Sequence, residues 1–584
     1  MTKGSLRKLA SVLGFAFAAL ALGAAPALAS ATIVVNNIDD PGEGFNDPTA
    51  AVPVGGNTGV TVGAQRLNVF TKAAEIWGAT LTSNVTIVVQ STFQNRGFTP
   101  CTATGAVLGA AGTIQIFANF PSAEWPSTWY HSSLANKLAD FDLTPGPPDP
   151  GFLVDPFNDD IIAFFNPNLG QPTCLNGSGW YYGLDNNAPG NRIDLLNVLL
   201  HELGHGLGFA NFIDEDGAPS DPAGSGPLGL PDIYTVFTRD NSAGKQWNQM
   251  EDRERAASAV NTGKVVWNGP TVNAAAPAAL GPRLSINVNS PAGVQLTGDV
   301  QAASFGPPVP AGGVAGDVAF DAANALGCAP FAAGSLTGKI ALMNRGVCTF
   351  TSKVKNAQNA GAVAAMVANN APTGPAPMGG ADPTVTIPSV GITQADGATL
   401  TASLPANVAI LFDATKLAGG DDDNNVRLYA PSPVAPGSSI SHWDTVASPN
   451  LLMEPFINAD LKGGTTLDLT DDQMVDIGWS DGPHCPVNSD DRATVIVGTC
   501  DSGVDNSFGP FTVFPAPSGQ PNSGLVNGGC YVADVVNSCA GSPKNHGDYV
   551  SCVTHTLTAL VQQGVISQSE RDAIQTCAAG ASIP

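Results

Sequence analysis

The stretch HELGHGLGFANFID, residues 201–214, decides how this chain is read. Its first five residues, His201, Glu202, Leu203, Gly204 and His205, follow the H-E-x-x-H spacing. On a helix that spacing sets two imidazoles one turn apart on one face, with a glutamate beside them. Burying such a group without a cation is costly, so the residue types favour metal ligation over a packed core. A catalytic zinc takes three protein ligands and keeps one position for water. In the longer pattern H-E-x-x-H-x-x-G-x-x-H the third ligand comes from the same stretch. Gly208 occupies the glycine position here, but Asn211 stands at the last one, and a neutral amide oxygen is a poor zinc ligand beside histidine or carboxylate.

The third donor must then come from elsewhere. Glu215, Glu251 and Glu254 are candidates if the ligand is a glutamate on a following helix, although no N-E-x-x-x-E-type helix surrounds them. Among the histidines, His131 lies upstream in an irregular region, while His484, His546 and His555 belong to or border a cysteine-rich tail. His442 stands in Ser441-His442-Trp443-Asp444, and Met453 follows in Leu451-Leu452-Met453-Glu454-Pro455. On its own a methionine in an apolar run reads as core, and Trp443 reads as packing.

Taken together, these two stretches resemble the leishmanolysin branch of the metzincin zinc endopeptidases. In that branch an inserted segment separates the H-E-x-x-H-x-x-G-F helix from a third histidine in an H-W context, and a methionine turn lies beneath the metal. The resemblance covers His201 to Phe209 and about Ser438 to Trp479, with a weaker match over Gln65 to Phe93. It implies one catalytic Zn2+ held by His201, His205 and His442, Glu202 as general base, and Met453 as the turn methionine. In that chemistry zinc brings a water's pKa toward about 7 and polarises the peptide carbonyl, while Glu202 takes the water's proton and passes it to the leaving amine. The chain departs from the pattern at Pro455, where some metzincins carry a tyrosine that assists the transition state, and in the long interval between His205 and His442.

Part of that interval has its own texture. From about residue 277 to 415 small residues, Gly, Pro and β-branched runs dominate. "GKIALMNRGVCTFTSKVKNAQNAGAVAAMVANN" predicts a strand through Ile340 and Leu342, a helix over 350–360 and a strand through Val363 and Val367; "TIPSVGI" predicts a short strand. These pieces, with Arg345-Gly346, Cys348-Thr349-Phe350 and Ile387-Pro388, resemble the protease-associated (PA) domain, a small β-rich module. A surface loop accommodates such an insert, because closure entropy grows only logarithmically with length.

Lys3, Arg7 and Lys8, an apolar run and Ala27-Leu28-Ala29 predict an export signal over residues 1–29, hence a secreted or periplasmic protein. No later segment is long and apolar enough to span a bilayer. With a formal charge of −25 and no long basic run, nucleic acid is excluded as a partner, leaving protein or peptide substrates. Ten cysteines in an exported chain mean disulfides. Their clustering predicts pairing of Cys101 with Cys174 and of Cys328 with Cys348. Helices at 549–563 and from the Ser567-x-x-Glu570 capping box onward would let Cys552 staple to Cys577. Asp421-Asp422-Asp423 reads as a solvated loop, so a structural Ca2+ there is unsupported.

The expected architecture is α+β: catalytic segments at 30–276 and 416–482, a PA insert at 277–415, and a disulfide-rich helical tail at 483–584. The expected function is secreted zinc endopeptidase; the rival is a noncatalytic extracellular binding or adhesion protein on the same scaffold, and only turnover separates the two.

Overall fold

The computed structural model describes residues 30–581 except 95–96, 98–99, 121–122, 126, 144–158, 214–228, 373, 459, 480–493, 507–531, 538, 540–544 and 563–565. The expected signal segment, Glu215, His484, Cys485 and Cys530 lie outside the described residues.

The first layer is a four-stranded sheet built from β1 (Ile33–Asn37), β2 (Ile87–Thr92), β3 (Gly109–Thr113) and β4 (Ile161–Phe165), in the order β1-β2-β4-β3. Three strands run parallel and β3 runs antiparallel at the edge. The alternation of Val85, Ile87 and Val89 predicts a strand, and β2 forms there from Ile87 onward. β2 is almost wholly buried, because it sits between two parallel neighbours with helices over the sheet.

Against this sheet pack α1 (Val62–Thr80) and α2 (Leu195–Leu207). Helix α1 starts at a Thr61 cap and buries Phe70, Ala73, Ala74 and Trp77. Leu67, expected on that face, is 37% exposed, since it falls at the margin of a stripe centred on Phe70 and Trp77. The spacing predicts the motif helix from about Arg192, but α2 begins at Leu195. Ile193 and Asp194 are drawn into a short parallel pairing with Trp180 and Tyr181, and the Asp194 carboxylate caps the helix by accepting from Leu196 N–H.

One hydrophobic core contains Trp77, Leu199 and Trp267 together with Leu428, Trp443, Met453 and Ile477, so chain from both sides of residues 282–417 builds it. Those intervening residues form a seven-stranded sheet of their own. Its strands are β5 (Pro282–Ser290), β6 (Gln301–Ala302), β7 (Val314–Ala319), β8 (Ile340–Asn344), β9 (Ala364–Ala368), β10 (Ser389–Ile392) and β11 (Asn407–Leu417). The order is β5-β11-β7-β8-β9-β10-β6, parallel from β7 to β10. Helices α3 (Phe350–Asn359) and α4 (Gln394–Ala402) belong to this unit, which has apolar clusters of its own. Its two ends lie side by side: Ala418 N–H donates to Gly281 O, and Gly281 N–H donates to Ser448 O.

The tail has a separate core around Val495, Leu557 and Ile574. Cys101 bridges to Cys174 and Cys328 to Cys348. The expected Cys552–Cys577 bridge is corrected: Cys577 pairs with Cys500, and Cys552 with Cys539. Both helices form, at His546–Gln562 and Gln568–Gly580, but the second also lies against the strand Cys500–Asp505 and turns its cysteine there. The acidic run also differs from expectation. Asp421 is buried, accepting from Asn241, Asn425 and the Asp423 N–H, while Asp422 and Asp423 are exposed.

No helix among the described residues is long and apolar enough to cross a membrane.

Candidate metal centre

Helix α2 presents His201 and His205 one turn apart, as the spacing requires, and both are buried. Gly208 closes the helix at φ +142°, a conformation that side chains resist, and its N–H bonds back to the Gly204 and His205 carbonyls. The chain can then turn so that His442, from a loop far along the sequence, meets the helix. The three rings have centroids 4.7–5.2 Å apart, and one ligand atom from each lies within 4.8 Å of the others. Among the described residues this is the single group of three or more His, Cys, Asp or Glu placed to hold a metal.

The orientation of each ring is set by a backbone carbonyl. His201 Nδ1 bonds Leu452 O, His205 Nδ1 bonds Phe209 O, and His442 Nδ1 bonds Ser438 O, each at 2.8 Å. A carbonyl only accepts, so every Nδ1 carries the proton and every Nε2 keeps its lone pair. The Nε2 atoms of His201 and His205 are nonetheless 3.1 Å apart. Two lone pairs at that distance repel in a buried site, and a cation between them relieves it. Burial also pushes the pKa values down, to about 4 for His201 and about 3 for His205, and well below the usual value for His442, so all three are neutral at pH 7. Three neutral imidazoles with converging Nε2 atoms and Nδ1–H fixed by carbonyls are the donor set that zinc takes.

Glu202 faces the same cleft, against the edge strand β3. A Cβ built on Gly109 would lie 2.9 Å from Glu202 Oε1, so the carboxylate occupies space that any larger residue at 109 would fill. Burial pushes its carboxyl up to about 8, offset in part by a hydrogen bond with the Ala111 backbone. A divalent cation beside it acts in the opposite direction and favours the carboxylate. The cleft measures about 1110 Å³; β3 forms one wall, and residues 434–442 and 454–458 form the other.

Met453 is fully buried, and a Cβ at Gly204 would approach its Sδ to 2.8 Å, so the methionine lies directly on the helix between the two histidines. Its carbonyl accepts from Trp443 N–H, tying it to the residue after His442. Trp443 packs on Phe209 and Trp267.

The remaining candidates lie apart from this cluster. Glu251 and Glu254 form the capping box of the helix Asp252–Ser258, and Glu254 is paired with Lys245. His131 is buried against Phe212, while His546 and His555 are in the tail. Asn211 has a use that its sequence position hides. Its backbone N–H and its Nδ2 both donate to Ser441 Oγ, at 3.1 and 2.8 Å, so it tethers the loop that carries His442. Ile440 is held similarly, its carbonyl accepting from Tyr234 OH. No local signal marks these contacts, because each partner is remote in sequence.

Residues 306–400 match the family model described as the PA domain. The chain therefore contains a PA domain. Leucine aminopeptidase 2 of Trichophyton equinum is 40% identical over 111 residues, covering 16% of this chain and 22% of that protein. Vacuolar-sorting receptor 3 of Arabidopsis thaliana is 37% identical over 94 residues, covering 15% of each. The chain thus spans less than a quarter of the length of these relatives, over stretches about the size of the PA domain, and one is a peptidase while the other is a receptor. A zinc aminopeptidase from Bacillus subtilis aligns in structure at 26% identity over 26% of this chain and 37% of its own, with a TM-score of 0.18. These likenesses leave the activity to be argued from the site.

Proposed function

We propose that this protein is a zinc-dependent endopeptidase whose catalytic unit, of metzincin type, is interrupted by the PA domain. The observation that carries the reading is the convergence of three carbonyl-oriented histidines beside a carboxylate in an open cleft. His201, His205 and His442 would hold one zinc ion. When bound, zinc supplies the Lewis acidity that polarises a peptide carbonyl and makes water acidic enough to attack it at neutral pH. Glu202 accepts the water's proton and delivers it to the departing amine. Met453 fixes the floor between the two helical ligands, and the carbonyls of Leu452, Phe209 and Ser438 keep each ring in its ligating tautomer.

Strand β3 supports cleavage within a chain rather than at its end. It is the sheet's edge, its residues Gly109-Ala110-Ala111-Gly112 are small, and it runs along the cleft next to Glu202. An extended peptide laid beside such an edge gains backbone hydrogen bonds on both sides of the scissile bond.

The test uses the purified, zinc-loaded chain with casein, an internally quenched peptide blocked at its amino end, and leucine p-nitroanilide. Cleavage of the first two, abolished by Glu202→Gln, is expected. Turnover of the anilide alone would reject the endopeptidase reading in favour of an aminopeptidase. No turnover of any substrate would leave a noncatalytic binding protein.

A further inference from the structure

The segment that borders His442 is anchored on the other side by the PA domain. Residues 427–429 lie alongside 442–444: Asp444 N–H donates to Arg427 O, Tyr429 N–H donates to His442 O, and Leu428 bridges Trp443. Arg427 is buried, and its Nη1 reaches both carboxylate oxygens of Asp299 at 2.7 Å, while its Nε has no partner. Asp299 belongs to the sheet unit of 282–417, in the turn just before β6. The Asp396 carboxylate at the start of α4 fixes that turn by accepting from Thr297 and Gly298 N–H. A second contact lies at the neck of the insert, where Gly281 N–H donates to Ser448 O and Gly419 packs on Ala447. The segment from His442 to Ser448 is thus tied to the PA unit through a buried ion pair at one end, and at the other it packs on the two strands of chain that lead into and out of that unit.

We infer that the PA domain is part of the metal site's framework, with Asp299 and Arg427 acting as positioning residues for His442. This rests on the three-histidine reading above. The physical reason is that Arg427 is desolvated, with Asp299 as its hydrogen-bonded counter-charge and Asp444 and Asp421 farther off; removing the Asp299 carboxylate leaves a buried cation whose relief is to move toward water or toward Asp444, two residues from His442. Such a movement displaces the backbone that aligns His442, while His201 and His205, on their helix, stay in place. The effect is therefore expected in metal affinity, which depends on all three ligands.

The experiment measures zinc affinity by chelator competition in the full-length chain for wild type, Asp299→Asn, His442→Ala, and Leu342→Ala, the last placed in the PA core away from the contact. Asp299→Asn is expected to weaken zinc on the order of tenfold, the range seen for residues that orient ligands. Leu342→Ala should lower thermal stability with zinc affinity unchanged. Unaltered affinity in Asp299→Asn, or an equal loss in Leu342→Ala, would overturn the inference. If wild type binds no zinc, or His442→Ala binds as tightly, the underlying site assignment fails instead. Should Asp299→Asn not fold, Arg427→Lys tests the same contact from the other side, and undiminished affinity there rejects it.

Discussion

At the residue scale, two residues without metal or acid chemistry shape much of the site. Asn211 stands where a nearby third histidine would be and instead tethers the loop of the distant one through Ser441. Asn211→Ala removes the shorter of these bonds and leaves the backbone one. Zinc affinity is expected to fall up to about tenfold, measured by chelator competition, with Glu202 chemistry unchanged at saturating metal. Gly109 acts on the base rather than the metal. Its alanine variant puts a carbon into the space of the Glu202 carboxylate, and misplacement of about 1 Å costs roughly 10²-fold in rate. The expected outcome for Gly109→Ala is a large drop in kcat with full zinc content; loss of metal in that variant would contradict the assigned geometry. His201, Glu202 and His205 are legible in the sequence because helical spacing alone puts them on one face. His442 is legible only through its H-W context and the methionine after it. The roles of Asn211 and Gly109 are not legible, since each depends on what a remote segment brings within about 3 Å, a hydrogen bond's reach.

At the element scale, periodicity locates segments but not what they meet. The helices of the tail form where their pattern predicts, yet the cysteines they carry pair with Cys500 and Cys539 rather than with each other. The strand Cys500–Asp505 is what the helix pattern could not reveal, because side-chain direction on a helix does not say which neighbour fills the space. Non-reducing peptide mapping is expected to recover Cys500–Cys577 and Cys539–Cys552, and a Cys552–Cys577 fragment would refute this connectivity. Similarly, β5 alternates through Leu284, Ile286 and Val288, but nothing local says that its partner is β11, at the far end of the insert. The start of α2 was readable in principle: Asp194 is an N-cap residue, and moving the boundary there places both imidazoles within a helix capped at its own first turn. Asp194→Ala is expected to cost about 1 kcal/mol in a denaturant melt of the metal-free protein.

At the scale of the whole molecule, the acidic character of the chain reaches into its core. Burial raises the carboxyls of Asp160 and Asp468 to about 7 and that of Glu454 to about 8, with backbone N–H donors from Val88, Leu452 and Leu451 limiting the rise. Their unfolded values are 3.8 for aspartate and 4.5 for glutamate, so the folded chain holds more protons than the unfolded one between these limits. The stability they contribute is complete below about pH 4 and is lost as pH rises through 7 to 8. The ligand histidines have the opposite sign. Their folded pKa values lie below 6.5, so their contribution is present above that pH and is lost as pH falls toward 4. From pH 7 upward the histidines are neutral in both states and add little slope, whereas the carboxyls still titrate in the fold. A net charge of −25 acts in the same direction, since each further ionisation adds to self-repulsion. For the metal-free protein in chelator, the unfolding midpoint is therefore expected to fall from pH 7 to about pH 8 and to level off above it; a flat or rising midpoint between pH 7 and 8 would mean these carboxyls are already ionised in the fold. In the zinc-loaded protein protonation competes for the Nε2 atoms only as pH falls toward 4, because burial holds all three rings neutral above that, so zinc release is expected to begin there and not near the ordinary histidine value of 6.5; release that is already under way at pH 6 would mean the rings are less buried than their contacts imply.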